Sequence, residues 1–278
     1  MMSNAVDLIV LDLDETLFDH SRVVSKRNRD AIQQAQKAGI PVTICTARMH
    51  PAALFEAAKA GIDGPIAVCN GAYLWDRGQP RRKRCMTPSQ VDQICSILDP
   101  LKVPYFFSTV SAAIANDFAA CGAYYTFWHI DDTGFDAIPL VTYQTGTRIV
   151  PAVGEEALRL TVVSEDSNML ERVYAVLSQV EGIEPYQSWY NNIEAMAPGG
   201  KALGIESLCA HFGVDPARVM AIGDSDSDVS MLRPVGFPVA VENASPGLKA
   251  VARHILPHCK EDGVAFAIET IALGRTRA

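Results

Sequence analysis

Leu8-Ile9-Val10-Leu11 is apolar at every position and stops at once on Asp12-Leu13-Asp14. A strand with one wet face alternates polar and apolar residues. A run without alternation is instead buried on both faces, as in a parallel sheet covered by helices. Such a sheet offers its carboxyl edge to ligands, and this strand delivers two carboxylates to that edge. Side chains alternate along an extended chain, but a turn beginning after Leu11 lets Asp12 and Asp14 converge. Two carboxylates that close repel each other unless a hard cation such as Mg²⁺ sits between them. An ordinary strand followed by a polar turn, with Asp14 as a helix N-cap, is the less favoured alternative for this stretch taken alone.

The same alternation continues. A helix is expected over residues 25–38, capped by Ser25 and stopped by Gly39. A second buried strand over 40–45 ends on Thr46-Ala47-Arg48. A right-handed crossover places Thr46 at the same edge as Asp12. A hydroxyl followed by turning amides suits a phosphate oxygen, although a strand-terminal Thr is also a common structural residue. A helix over 51–60 and a third strand over 65–69, closing on Asn70-Gly71, complete one α/β layer.

The pattern then changes. A helix over 88–98 and one over 168–179 are interspersed with short strands over 105–107, 113–115, 158–163 and 193–196, which suits an α+β insert with its own sheet. After Pro198-Gly199-Gly200 the first pattern resumes, with a helix from Lys201 to about 212 and a strand over 219–222 ending on Gly223-Asp224-Ser225-Asp226-Ser227-Asp228. A strand over 237–241, a helix over 246–252, a strand over 254–256 and a helix over 263–273 follow. The expected fold is α/β: a doubly wound, Rossmann-like parallel core built from residues 1–79 and 198–278, with an α+β domain inserted at 80–197.

A chain of 278 residues with 49% apolar composition is long enough for one large domain or two of ordinary size. The net charge of -8 argues against a general nucleic-acid or anionic-membrane binder. The basic run Arg81-Arg82-Lys83-Arg84 reads as a solvated linker or an edge strand protected by charge. Seven scattered cysteines without C-x-x-C spacing suit reduced core residues. With no basic leader and no apolar run near the ~20 residues that span a bilayer, a cytoplasmic location is expected. Nothing in the sequence indicates an oligomeric state.

Asp12/Asp14, Thr46 and Asp224/Asp228 therefore fall at the ends of core strands. Asp224 and Asp228 also suit a helix N-terminus, where acids favour the dipole, whereas Lys201 at a helix start is unfavourable there. A local rule broken without visible compensation hints at function.

In order, these residues resemble the four signature motifs of the haloacid dehalogenase superfamily of phosphohydrolases: Asp12-Leu13-Asp14-Glu15-Thr16-Leu17, then Thr46, Lys201, and Gly223-Asp224 through Asp228. Asn70-Gly71-Ala72, Asn243-Ala244, Asp262-Gly263-Val264-Ala265 and the large insert are similar to the branch called Cof-type. Four positions depart from the pattern. Glu15 stands where most such relatives have Gly, and Ala47 and Ala202 also replace Gly. Ser227 replaces an Asn whose side chain contacts phosphate or metal in relatives.

The resemblance implies a Mg²⁺-dependent phosphohydrolase acting on small phosphorylated metabolites, such as sugar phosphates, through an aspartyl-phosphate. Asp12 would be the nucleophile and Asp14 the general acid and base. Thr46, Ala47 and Lys201 would hold the phosphoryl group. Asp12, the Asp14 carbonyl and Asp224 would hold Mg²⁺, with Asp228 orienting the coordination shell through hydrogen bonds or water. The insert would be a cap that closes over the site and reads the leaving group. Tyr124-Tyr125-Thr126-Phe127-Trp128 and Trp189-Tyr190 would either line its pocket or form its core or packing face, and His20 and His129 read as ordinary histidines. A phosphomutase using the same intermediate and a non-catalytic phosphometabolite sensor are the competing readings.

Overall fold

The computed structural model describes residues 6–110, 112–117, 119–122, 140–142 and 156–275. The chain opens with β1 (Leu8–Leu11), α1 (Lys26–Lys37), β2 (Val42–Ile44) and α2 (His50–Ala60). Three strands follow: β3 (Ile66–Val68), β4 (Tyr73–Asp76) and β5 (Gln79–Lys83). Next come α3 (Pro88–Leu98), β6 (Tyr105–Ser108), β7 (Ala113–Ala115), β8 (Leu140–Thr142), β9 (Arg159–Val163), α4 (Ser167–Leu177), β10 (Glu184–Trp189) and β11 (Asn192–Met196). The last part contains α5 (Gly200–Phe212), β12 (Val219–Gly223), α6 (Val229–Leu232), β13 (Phe237–Val241), α7 (Pro246–Val251), β14 (His254–Leu256) and α8 (Gly263–Ala267).

These elements divide into two compact units, one of Met1–Ala47, Ala53–Arg82 and Gly199–Ala278, the other of Arg48–Ala52 and Lys83–Pro198. The first unit carries a five-stranded sheet in the order β14-β13-β12-β1-β2, parallel throughout. Every residue of β1 is fully buried, so both faces of its strand are covered, as its unbroken apolar run requires. Ser25 caps α1 by accepting from the Asn28 amide at 3.0 Å. Gly39, at φ +83, turns the chain out of the helix in a left-handed conformation that costs glycine little.

The third strand continues the parallel layer beside β2 through one parallel bridge, Cys45 to Ala67, but on its other side it pairs antiparallel with β4, a partner the sequence does not announce. The cause lies in the turn: Cys69, Asn70 and Gly71 are all left-handed, at φ 49, 53 and 83, and they reverse the chain into a hairpin. Neither β4 nor β5 stands out in the sequence, because the hairpin is short and its outer strand is charged. That outer strand holds Arg81, Arg82 and Lys83 of the basic run, all exposed, with Arg81 paired to Asp76 and Arg82 to Glu206.

The second unit has a six-stranded sheet in the order β10-β11-β9-β6-β7-β8, antiparallel except between β7 and β8. Its alternation sorts the residues: Tyr105, Phe107, Leu160, Val162, Ile193 and Ala195 pack into one core with α3 and α4. On the alternate positions, Arg159 and Glu194 form a buried ion pair at 3.1 Å, with the Tyr186 hydroxyl donating to Glu194 at 2.6 Å. Trp189 and Tyr190 are 47% and 67% exposed and lie against each other, which removes them from the core of this unit. The aromatic run Tyr124 to Trp128, and His129, lie outside the described residues. Among the described residues no helix is long and apolar enough to cross a membrane, and all seven cysteines are free.

Candidate active site

Strand register brings the first acids together. Leu11 on β1 lies opposite Ile222 on β12, and the Asp12 amide extends that ladder by donating to the Ile222 carbonyl at 3.0 Å. Asp12 therefore sits level with Gly223, and Asp224 is one residue further along the neighbouring chain. On the other side, the Cys45 amide donates to the Leu11 carbonyl at 2.9 Å, which sets Thr46 next to Asp12 along the same edge. Thr46 is buried, its amide bonded to Ala67 and its carbonyl to the Asn70 amide, and Ala47 behind it is half-buried.

Lys201 supplies the cation. It lies in the first turn of α5, which has no side-chain cap, and only 2% of it is exposed. Its Nζ donates to Asp12 Oδ1 at 2.7 Å and to Asp228 Oδ1 at 2.5 Å. These two carboxylates are the compensation that the helix start lacked. Glycine contacts set the depth of the helix. A Cβ on Gly204 would lie 2.5 Å from Cys45 Sγ, and one on Gly71 would lie 2.5 Å from the Gly204 amide nitrogen. The helix thus docks backbone against backbone on the Asn70-Gly71 turn, close enough for Lys201 to reach Asp12.

Asp228 does two jobs at once. Its Oδ2 accepts from the amides of Asp224 and Ser225 at 3.1 and 3.0 Å and from the Ser225 hydroxyl at 3.2 Å, closing a capping box. Its Oδ1 holds Lys201. A Cβ at Gly223 would fall 2.6 Å from Asp228 Cγ, so only glycine lets this carboxylate fold back. Asp226, by contrast, is exposed and accepts from the Ser245 hydroxyl at 2.6 Å.

Oxygens of Asp12, Asp224 and Asp228 all lie within 4.8 Å of one another. Three carboxylates face one ammonium, which leaves negative charge uncompensated in a buried place. Burial, helped by the neighbouring acids and only partly opposed by Lys201, raises the Asp12 carboxyl to about 7 and Asp224 to about 8. Burial also opposes the charge on Lys201, but the pull of Asp12 and Asp228 is greater and raises its pKa. The donor set fits a hard divalent cation. Both Asp228 oxygens are already engaged, and Asp224 Oδ1 accepts from the Thr16 hydroxyl at 2.8 Å. Asp12 and Asp224 are therefore the carboxylates with an oxygen left to give, despite the closeness of Asp228.

A pH dependence follows. Below about 7 to 8 the Asp12 and Asp224 carboxyls retain protons that an incoming cation must displace. Divalent-cation affinity of the chelator-stripped protein is expected to fall as pH drops from 9 to 6, with proton release at pH 6 seen by calorimetry in buffers of different ionisation enthalpy. Affinity independent of pH over that range, with no proton release, would contradict the raised carboxyls.

Several site residues went unrecognised in the sequence. Thr16 stands in the sequence only as part of a motif, yet it is fully buried and its hydroxyl orients Asp224. Ser225 anchors Asp228, and the S-x-x-D spacing of a capping box was its signal. Glu15 occupies a left-handed position at φ 57, which is the physical reason a glycine suits it in relatives. Its side chain pairs with His20 Nδ1 at 3.0 Å. Ser227, in place of the relatives' Asn, lies 2.8 Å from the Ser225 hydroxyl and so joins the capping turn.

A parallel α/β core that gathers a buried carboxylate, a buried lysine and a cation-ready acidic cluster at its carboxyl edge defines the class: a phosphoric monoester hydrolase. The chain belongs to the haloacid dehalogenase-like hydrolases, whose family model, of the Cof type, matches residues 9–268. It is 28% identical to the 5-amino-6-(5-phospho-D-ribitylamino)uracil phosphatase YwtE of Bacillus subtilis, covering 96% of this chain and 98% of that one. It is 25% identical to a phosphoglycolate phosphatase of Methanobrevibacter smithii, covering 96% and 99%. Among solved structures, the subclass IIB sugar phosphatase BT4131 superposes with a TM-score of 0.78 at 23% identity, over 95% of this chain and 98% of that one.

Proposed function

We propose that the protein hydrolyses phosphate monoesters of small polar metabolites through an aspartyl-phosphate on Asp12, with Mg²⁺ as cofactor. The observation that carries the reading is the buried Lys201, bridging Asp12 and Asp228 beside Asp224. Lys201 orients Asp12 through Oδ1, and the Asp12 carboxylate attacks phosphorus in line. Asp14 protonates the departing alkoxide and then takes the proton of the water that hydrolyses the intermediate. Lys201, the Thr46 hydroxyl and the backbone amides that follow it hold the phosphoryl oxygens, the kind of positioning on which phosphoryl transfer mainly depends. Asp12, the Asp14 carbonyl and Asp224 hold Mg²⁺, with Asp228 fixing Lys201 and the turn that carries Asp224. When bound, the cation neutralises the crowded acids and lets a carboxylate approach an anionic ester. Relatives named for a phosphoribitylamino compound and for phosphoglycolate support this substrate class.

The test is phosphate release from a panel of phosphorylated sugars, sugar alcohols, short acids and pyridoxal phosphate, with Mg²⁺ and with chelator. Release that requires Mg²⁺ is expected from at least one member. No release from any member, or release indifferent to chelator, overturns the reading.

A further inference from the structure

We propose that Asn243 is a positioning residue for the cation site, acting through the Glu15 carbonyl, one peptide beyond the Asp14 carbonyl; the inference rests on the cation reading given above. Asn243 lies half-buried in the turn after β13 and uses both ends of its amide. Its Nδ2 donates to the Glu15 carbonyl at 2.7 Å, and its Oδ1 accepts from the Cys259 amide at 3.0 Å. One side chain thus ties the loop after β1 to the segment that leads into α8.

Glu15 needs such a tie. A non-glycine residue held at φ 57 is strained, and it persists only where its surroundings over-determine it. The amides of Thr16, Leu17 and Phe18 all converge on the Leu13 carbonyl, which closes the loop from within. The Asn243 bond holds it from outside. The rotation it secures, about the N–Cα bond of Glu15, comes directly after the peptide whose oxygen is the Asp14 carbonyl. Fixing that rotation and the next carbonyl together fixes the direction in which the Asp14 oxygen is offered. Hydrogen-bonding groups behind a metal ligand commonly set affinity in this way.

A second asparagine provides a matched contrast. Asn28 is 1% exposed and also uses both ends, Nδ2 to the Leu17 carbonyl at 3.1 Å and Oδ1 to the Ala265 amide at 2.9 Å. It makes the same kind of tie, from the same loop to the same C-terminal segment, but at a peptide remote from the Asp14 carbonyl. Its loss should weaken the fold without redirecting a ligand.

The experiment is Mg²⁺ titration of the stripped full-length protein by calorimetry, for wild type, Asn243→Ala, Asn243→Asp and Asn28→Ala, with thermal melts of each. Both Asn243 variants are expected to bind Mg²⁺ about 10-fold more weakly or worse. Asn28→Ala is expected to lower the melting temperature and keep wild-type affinity. The Asp variant keeps an acceptor for Cys259 and adds a negative charge that by attraction alone would tighten cation binding, so weakening there isolates the lost donor. If Asn28→Ala does not fold, Asn243→Asp against wild type decides the matter. Wild-type affinity in both Asn243 variants, or equal weakening by Asn28→Ala, overturns the positioning role. A wild type that binds no Mg²⁺ overturns the cation reading itself, and the inference with it.

Discussion

Asp12→Asn is expected to abolish phosphate release, by at least about 10⁴-fold, the scale seen when a covalent nucleophile is removed. The carboxamide has the size of the carboxylate but cannot attack phosphorus. The fold should tolerate it well. Asp12 shares the Lys201 ammonium with Asp228, half-buried Asp224 lies beside them, and burial holds the Asp12 carboxyl up near 7. Removing one of those charges relieves repulsion, and Lys201 keeps Asp228 at 2.5 Å. The melting temperature of the metal-free variant should therefore equal or exceed that of wild type while turnover vanishes. Substantial turnover in the variant would sink the assignment of the nucleophile, and a collapsed melting temperature would mark Asp12 as structural.

Lys201→Ala is expected to lose at least about 100-fold in kcat, the scale of removing one preorganised donor to developing charge. Its stability cost should also be large, unlike that of Asp12→Asn. Breaking a buried pair leaves uncompensated charge and typically costs about 3–5 kcal/mol, and here two carboxylates lose their common partner. Denaturant melts at neutral pH measure that cost, and rates taken on the folded fraction separate it from catalysis. Stability lost with kcat unchanged would make Lys201 a structural cation only.

The two variants also show where sequence reading succeeded and where it could not. Helix α1 was legible because its limits are written locally: Ser25 can cap only a helix that begins beside it, and Gly39 turns left-handed where few other residues do. β1 was legible because four consecutive apolar residues admit few environments. The hairpin of β3 and β4 was not, because a strand's partner is chosen by the turn that follows it, and three successive left-handed residues do not stand out as letters. For Trp189 and Tyr190 the sequence left pocket, packing face and core open, and the structure removes only the core, because they stand exposed at the end of an edge strand of the sheet and in the turn after it.

The alternating core was determined by the sequence alone, and the acids of the candidate site and Lys201 were marked there as charges at strand ends and a helix start, singled out together by their resemblance to known motifs. Which oxygens meet was decided only by the tertiary structure. Lys201 is 189 residues from Asp12 and 27 from Asp228 along the chain, and their contact exists because parallel register and a glycine-to-glycine helix contact bring the three together. The same is true of Thr16 on Asp224 and Asn243 on Glu15, separated by 208 and 228 residues. A hydrogen bond requires its partners within about 3 Å, and only packing places atoms with that accuracy across such lengths of chain.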